Sequence, residues 1–175
     1  MRTVFLYLYF TFYVFYTFYL ELRIKSVYKN FPRKEADERI SKIVSRWAKN
    51  ILDRIGVKVD VIGNEKLTER NYLFVSNHQG NFDPFIILAY IHKPMGFIAK
   101  NELLKIPIIR EGMKKIHCVF MNRKNIRESA KAIDEGIDNL KKGYSMVIFP
   151  EGTISKCHEM LEFKRGSFKL AIRSG

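Results

Sequence analysis

The residues most able to do chemistry are His78 and Asp83, which stand five positions apart in the stretch VSNHQGNFDPF (residues 75–85). An imidazole is the side chain best able to take a proton from a hydroxyl near neutral pH. A carboxylate on its other ring nitrogen fixes the tautomer and stabilises the imidazolium that forms. The structural alternative is that Asp83 caps a helix beginning at Pro84 and that His78 is a turn residue. Spacing alone leaves both interpretations open.

Polar residues also follow two other apolar runs, in the stretches FMNRK and FPEGTIS. Gly152 allows a sharp turn in which backbone N–H groups face a ligand, and Glu151 beside it is either part of that site, a helix cap or a surface carboxylate. Arg123 carries a planar guanidinium that suits a phosphate monoester; its alternative is a solvated loop charge. Lys100, at the end of GFIAK, is a further candidate for phosphate binding.

The segments around these clusters alternate between strands and helices. Helices are predicted from Asp83, with proline at a favoured first-turn position, and over residues 125–142, with Asn125 as the cap and Gly143 at the end. Strands are predicted for the alternating residues 57–61 and for NYLFVS, MGFIAK, IHCVFM and YSMVIF. This order predicts an α/β fold with a mostly parallel sheet flanked by helices. Ligand sites gather beyond the carboxyl ends of such strands, where all three polar clusters lie.

The first segment favours a membrane partner. Residues 3–20 carry no charge, and ten of the fifteen residues from 5 to 19 are Phe or Tyr. Eighteen residues are the lower limit for crossing a hydrocarbon core about 30 Å thick, and aromatic rings prefer the headgroup boundary. The segment therefore either spans the bilayer with little margin or lies embedded in one leaflet. Five basic residues against one acidic in residues 21–34 favour the cytoplasmic face and anionic lipid.

Residues 35–56 predict an amphipathic helix whose apolar stripe, which includes Trp47, either packs on the core or lies on the membrane. We expect residues 1–56 to form a membrane-anchoring part and residues 57–175 a catalytic domain. The net charge of +13 predicts attraction to an anionic partner, either nucleic acid, phospholipid headgroups or a phosphorylated substrate, but no nucleic-acid-binding module is recognisable. Neither His117–Cys118 nor Cys157–His158 has the spacing of a metal site, so no metal is expected.

The stretches NHQGNFDPF, FMNRK and FPEGTIS resemble, in order and spacing, the first three sequence blocks of the glycerolipid acyltransferases. Lysophosphatidic acid acyltransferases are the most similar group, and the resemblance covers roughly residues 57–175. It implies that His78 is the general base on the acceptor hydroxyl and that Asp83 orients it. It also implies that residues of the second and third blocks bind the acceptor, namely Phe120, Arg123, Glu151 and Gly152.

The resemblance implies transfer of a fatty acyl group from acyl-carrier protein or acyl-CoA to lysophosphatidic acid, giving phosphatidic acid at the cytoplasmic face of the membrane. It implies neither metal, cofactor nor covalent acyl-enzyme. Two alternatives remain: an acyltransferase for glycerol 3-phosphate or another lysophospholipid, and a membrane protein that only binds anionic lipid. The family's fourth block, a Val-Pro-rich strand, is expected beyond Gly175, so the catalytic domain is expected to be truncated at its C-terminus.

Overall fold

The computed structural model describes residues 2–155 and 159–175, with side chains described from residue 15 onward except at position 108; Cys157 and His158 lie outside the described residues. Helices and strands alternate along most of the chain. Their bounds are α1 Arg2–Asn30, α2 Arg33–Arg54, β1 Leu73–Val75, α3 Asp83–Tyr90, β2 Met95–Lys100, α4 Pro107–Lys115, β3 Val119–Met121, α5 Ile126–Lys141, β4 Ser145–Ile148 and α6 Lys169–Ser174.

The four strands form one parallel sheet in the order β1–β4–β2–β3. The central strand β4 is buried along its whole length, as its lack of polar alternation predicts. Because all the strands run in the same direction, their carboxyl ends lie at one edge of the sheet. The predicted parallel sheet flanked by helices is confirmed, and this edge is where the three polar clusters begin.

Each face of the sheet is covered by helices. On one face, Ile98, Met146 and Ile148 pack with the apolar stripe of α5 and with Leu170 of α6. The opposite face, which includes Phe97 and Val147, packs with Ile87 and Leu88 of α3, with Met113 of α4 and with Ile116, which follows α4 directly. Alternate residues of a strand point to opposite faces, so these two clusters divide the strand residues between them.

The proline and helix-capping signals in the sequence predicted the starts of α3 and α5 correctly. Pro84 lies in the first turn of α3, and Asn125 caps α5 by accepting hydrogen bonds from the N–H groups of Arg127 and Glu128 through Oδ1. The prediction of a strand at residues 57–61 is wrong, because this segment is not paired with any described strand. Helices α4 and α6 were not predicted.

The first two helices pack on the α/β layer. Ala48 and Leu52 of α2 are fully buried against α3, and the ring of Trp47 lies tilted against that of Phe85 with the centroids 5.4 Å apart. The apolar stripe of α2 therefore packs on the protein core, one of the two arrangements predicted for it. Helix α1 contacts α4 through an ion pair of 3.3 Å between Glu21 and Lys115. In the part of the chain that the structure describes, no helix has the length and apolarity that crossing a membrane requires.

A buried polar cluster joins these two helices to the α/β layer. Asp37 of α2 accepts hydrogen bonds at Oδ1 from the Tyr28 hydroxyl (2.8 Å) and His117 Nε2 (3.1 Å). The His117 ring stacks on Tyr144 with the centroids 3.8 Å apart. His117 has a positive φ of 60°, and Gly96 faces its carbonyl so closely that a Cβ would collide with it. The ring of His117 is thereby held beneath α2.

This cluster should make stability depend on pH. Burial lowers the pKa of His117, opposed in part by its hydrogen bond to Asp37. As pH falls through the ordinary value of about 6.5, the unfolded chain takes up the proton first, so stability is lost below that pH. We expect the free energy of unfolding to fall between pH 7 and pH 5.5 by up to about 1.4 kcal/mol per pH unit, measured by urea unfolding of the full-length protein.

The matched variant is His117→Asn, because asparagine tolerates a positive φ but does not titrate in this range. Its stability should fall less than that of the wild type over the same pH range. His92→Gln removes an exposed histidine and should leave the loss unchanged. Equal pH dependence in wild type and His117→Asn would contradict the assignment.

Candidate active site

His78 and Asp83 are in direct contact. Nδ1 of His78 lies 2.7 Å from Oδ2 of Asp83, and both side chains are mostly buried. The same oxygen accepts hydrogen bonds from the backbone N–H groups of Gln79 (2.7 Å) and Gly80 (2.9 Å). The turn between His78 and Asp83 thus folds around one carboxylate oxygen. With Nδ1 engaged, Nε2 is the ring nitrogen available to a substrate hydroxyl.

The contacts of Asp83 are those of a residue paired with His78 and not those of a helix cap. Its carboxylate points back to the turn and to His78, and the cap position of α3 is occupied by Phe82, which makes no capping hydrogen bond through its side chain. Asp83 therefore contacts the imidazole and does not cap the helix, and its part in catalysis stays a prediction. A carboxylate that receives Nδ1–H places the imidazole in the tautomer needed for a base at Nε2.

The turn after β4 holds His78 from the other side. The ring of Phe149 stacks on His78 with the centroids 4.2 Å apart. Glu151 is 2% exposed, and its Oε1 accepts the backbone N–H of His78 at 2.7 Å. Its Oε2 accepts the N–H of Leu161 at 3.0 Å. The first and third polar clusters therefore lie side by side, as their position at one sheet edge predicts.

The second cluster meets the third at Gly152. Arg123, two residues beyond β3, donates a hydrogen bond from Nη1 to the carbonyl of Gly152, which has a positive φ of 72°. Arg123 is nevertheless exposed on one side, and it shares the lining of a cavity with Lys100 and His78. Phe120 is half-buried within β3, where it pairs with Ala99, and is not among the residues lining this cavity.

A cavity of about 540 Å³ opens beside His78. Its volume is typical of ligand sites, which span roughly 300–1,000 Å³. Its walls are mainly apolar and come from α1, α2, α3 and α4 as well as the sheet. These side chains include Leu20, Ile24, Val44, Trp47, Phe85, Leu88, Met113 and Ile116. Sequence patterns did not predict this cavity wall, because it forms only when four helices pack together. The amphipathic pattern of α4 is the sequence feature that could have indicated part of it.

Cys118 also lines the cavity, so its chemistry must be considered. Its thiol is buried and accepts a hydrogen bond from the N–H of Phe97 at 3.3 Å. Burial raises the pKa of Cys118 to about 12. The thiolate is the nucleophilic form, and it is scarcely populated at neutral pH here. Cys118 is therefore a wall residue and not a nucleophile.

The protein is thus a parallel α/β fold with a paired imidazole and carboxylate beside a mainly apolar cavity. Residues 58–175 match the model of the acyltransferase family, and the chain belongs to that family. It is 33% identical over 155 residues to the "Probable 1-acyl-sn-glycerol-3-phosphate acyltransferase" of Mycoplasma pneumoniae, covering 86% of this chain and 56% of that protein.

Two further comparisons agree. The 1-acyl-sn-glycerol-3-phosphate acyltransferase of Borreliella burgdorferi is 34% identical over 121 residues, covering 69% of this chain and 48% of that protein. The crystal structure of the 1-acyl-sn-glycerophosphate (LPA) acyltransferase PlsC from Thermotoga maritima matches with a TM-score of 0.82 at 30% identity, covering 100% of this chain and 72% of that one. The chain spans about half the length of the curated relatives it matches.

Proposed function

We propose that the protein transfers a fatty acyl group from an acyl thioester to the free hydroxyl of lysophosphatidic acid, giving phosphatidic acid. The observation that carries the proposal is the His78–Asp83 pair, 2.7 Å apart, at an apolar cavity whose lining also contains Lys100 and Arg123. A base, two cations and apolar walls match a hydroxyl, a phosphate and an acyl chain. The names of the relatives support the same acceptor.

The reaction follows from the atoms at the pair. Nε2 of His78 takes the proton of the acceptor hydroxyl as its oxygen attacks the thioester carbonyl, and Asp83 stabilises the imidazolium that forms. The tetrahedral intermediate then collapses, the carbon–sulfur bond breaks, and the imidazolium returns its proton to the departing sulfur. The products are an ester and a free thiol, from acyl-carrier protein or from coenzyme A. No metal, cofactor or covalent acyl-enzyme enters these steps.

Arg123 and Lys100 are assigned to the phosphate of the acceptor. A guanidinium can bind two phosphate oxygens at once, whereas an ammonium acts as a point charge. The carbonyl of Gly152 fixes one edge of the Arg123 fork, which leaves the other edge for the phosphate. In this arrangement Gly152 acts through Arg123, and Phe120 supports the strand that carries it.

Substituting Arg123 by lysine should weaken acceptor binding. Lysine keeps the charge but loses the fork and its fixed orientation, so the KM for lysophosphatidic acid should rise roughly tenfold while kcat changes little. Steady-state kinetics of the full-length protein would measure both constants. Arg127→Lys, at an exposed site on α5, is the matched control and should behave as wild type. An unchanged KM in Arg123→Lys would place this side chain outside the acceptor site.

Attachment to the membrane belongs to the same proposal. Leu20 and Ile24 of α1 line the cavity, whereas Phe15, Phe18 and Leu22 on its other side are exposed. An acyl chain would enter the cavity from a bilayer touched by that exposed side, with anionic headgroups near the basic residues that follow it. The N-terminal residues 1–56 then serve as the membrane-binding part and residues 57–175 as the catalytic part, at the cytoplasmic face.

The deciding experiment uses the purified full-length protein with vesicles of anionic phospholipid. Lysophosphatidic acid, glycerol 3-phosphate and lysophosphatidylcholine are offered in turn with acyl-carrier protein or coenzyme A thioesters. We expect flotation with the vesicles and the highest kcat/KM for lysophosphatidic acid. Preference for another acceptor would correct the substrate, and flotation without any transfer would favour a protein that only binds lipid.

A further inference from the structure

We propose that Glu151 is a positioning residue, whose buried carboxylate fixes the backbone of His78 and does not bind the acceptor. This inference rests on the proposed function. It changes the role that the sequence resemblance implies for this glutamate, from a ligand of the substrate to a support of the base.

The first argument is that both carboxylate oxygens of Glu151 are engaged by the protein itself. Oε1 accepts the N–H of His78 at 2.7 Å, and Oε2 accepts the N–H of Leu161 at 3.0 Å. The side chain is 2% exposed, and it is not among the residues that line the cavity beside His78. An acceptor in that cavity would therefore meet His78 and Arg123 before it met Glu151.

The second argument is what His78 would lack without this contact. His78 lies in the irregular turn between β1 and α3, so neither a helix nor a strand supplies partners for its backbone. The turn after β4 supplies both: Glu151 accepts its N–H, and the N–H of Ser155 donates to its carbonyl at 2.8 Å. Hydrogen bonds to an ionised group are stronger than neutral ones, so Glu151 is the firmer of these two supports.

The third argument is that the backbone and the ring of His78 are held by different residues. Asp83 fixes Nδ1 and Phe149 fixes the plane of the ring, while Glu151 fixes the main chain from which the ring extends. A displacement of about 1 Å at a reacting group can cost on the order of 100-fold in rate. Loosening Glu151 should therefore slow the chemical step without altering how the acceptor binds.

The test is Glu151→Gln in the full-length protein. The amide has nearly the same shape, but only its oxygen accepts, so its NH₂ group faces one of the two backbone N–H groups. We expect kcat to fall by roughly 10- to 100-fold, with the KM for lysophosphatidic acid within twofold of wild type. Glu162→Gln removes an exposed carboxylate on the neighbouring segment and should change neither constant. A KM raised tenfold with kcat preserved would overturn the proposal and make Glu151 an acceptor ligand.

A readout independent of turnover separates this inference from the proposed function. In protein labelled with ¹⁵N-histidine, the ring signals of His78, assigned by their loss in His78→Ala, should shift in Glu151→Gln and stay in place in Glu162→Gln. Unchanged signals in Glu151→Gln would overturn the proposal even if the wild type proves inactive on every acceptor. If circular dichroism shows Glu151→Gln to be unfolded, Glu151→Asp, which keeps the charge but reaches less far, is put to the same tests with the same expected results.

Discussion

Replacing His78 by alanine should lower kcat for acyl transfer by roughly 10²- to 10⁴-fold, the usual contribution of a general base. Among the described residues, the ring makes a polar contact to Asp83 and stacks on Phe149. Its backbone contacts to Glu151 and Ser155 are kept in the variant. The protein should therefore remain folded while the acceptor hydroxyl loses the group that takes its proton.

The measurement is kcat for lysophosphatidic acid with the full-length protein, together with thermal unfolding to confirm that the variant is folded. His92→Ala removes an exposed histidine that is not among the residues lining the cavity, and its activity should equal that of the wild type. A folded His78→Ala protein with wild-type turnover would show that His78 is not the base of the reaction.

Asp83→Asn should also reduce kcat by on the order of 10²- to 10⁴-fold. Two backbone N–H groups, of Gln79 and Gly80, point at the Oδ2 position, so the amide of asparagine should keep its oxygen there. The ring of His78 then stays in place, but the negative charge that stabilises the imidazolium is gone. The loss should fall on kcat, because neither Asp83 nor its substitute contacts the phosphate.

Steady-state kinetics with the full-length protein again provide the measurement. Asp138→Asn, at an exposed position on α5, removes the same charge far from the pair and should leave kcat unchanged. If Asp83→Asn lost little activity, the hydrogen bond to His78 Nδ1 would serve the turn and not the reaction.

Sequence signals predicted the parts of the structure that depend on local chemistry. Asn125 and Pro84 marked the starts of helices because capping and first-turn preferences act within a few residues. The alternation at residues 57–61 misled because a strand also needs a neighbouring strand, and Val61 and Ile62 are exposed in the structure. Alternation of apolar and polar residues predicts which side chains would share a face of a strand, but it does not show that a neighbouring strand is available for pairing.

The sequence likewise predicted which polar clusters meet at the candidate site, but not the contacts between them. Since the carboxyl ends of parallel strands share one edge, the meeting of His78, Arg123 and Glu151 followed from the order of strands and helices. Whether Asp83 contacts His78 or caps a helix, and whether Glu151 faces the cavity or the backbone of His78, can be seen only in the folded structure. The carboxylate of Glu151 bonds to the N–H of His78, 73 positions away in the sequence, and no local pattern encodes such a contact.

The order of strands in the sheet has a consequence for how the protein is made. Of the four strands that the structure describes, β4 comes latest in the sequence, yet it lies between β1 and β2. While the ribosome is still translating α5, both of these strands have an open edge facing the place that β4 will fill. Unpaired strand edges of this kind favour association with other chains. We therefore expect the nascent polypeptide to be prone to aggregation until β4 pairs with β1 and β2. Phe149 and Glu151, which contact His78, follow β4 directly. We therefore expect that the chain cannot become competent for catalysis before β4 is in place.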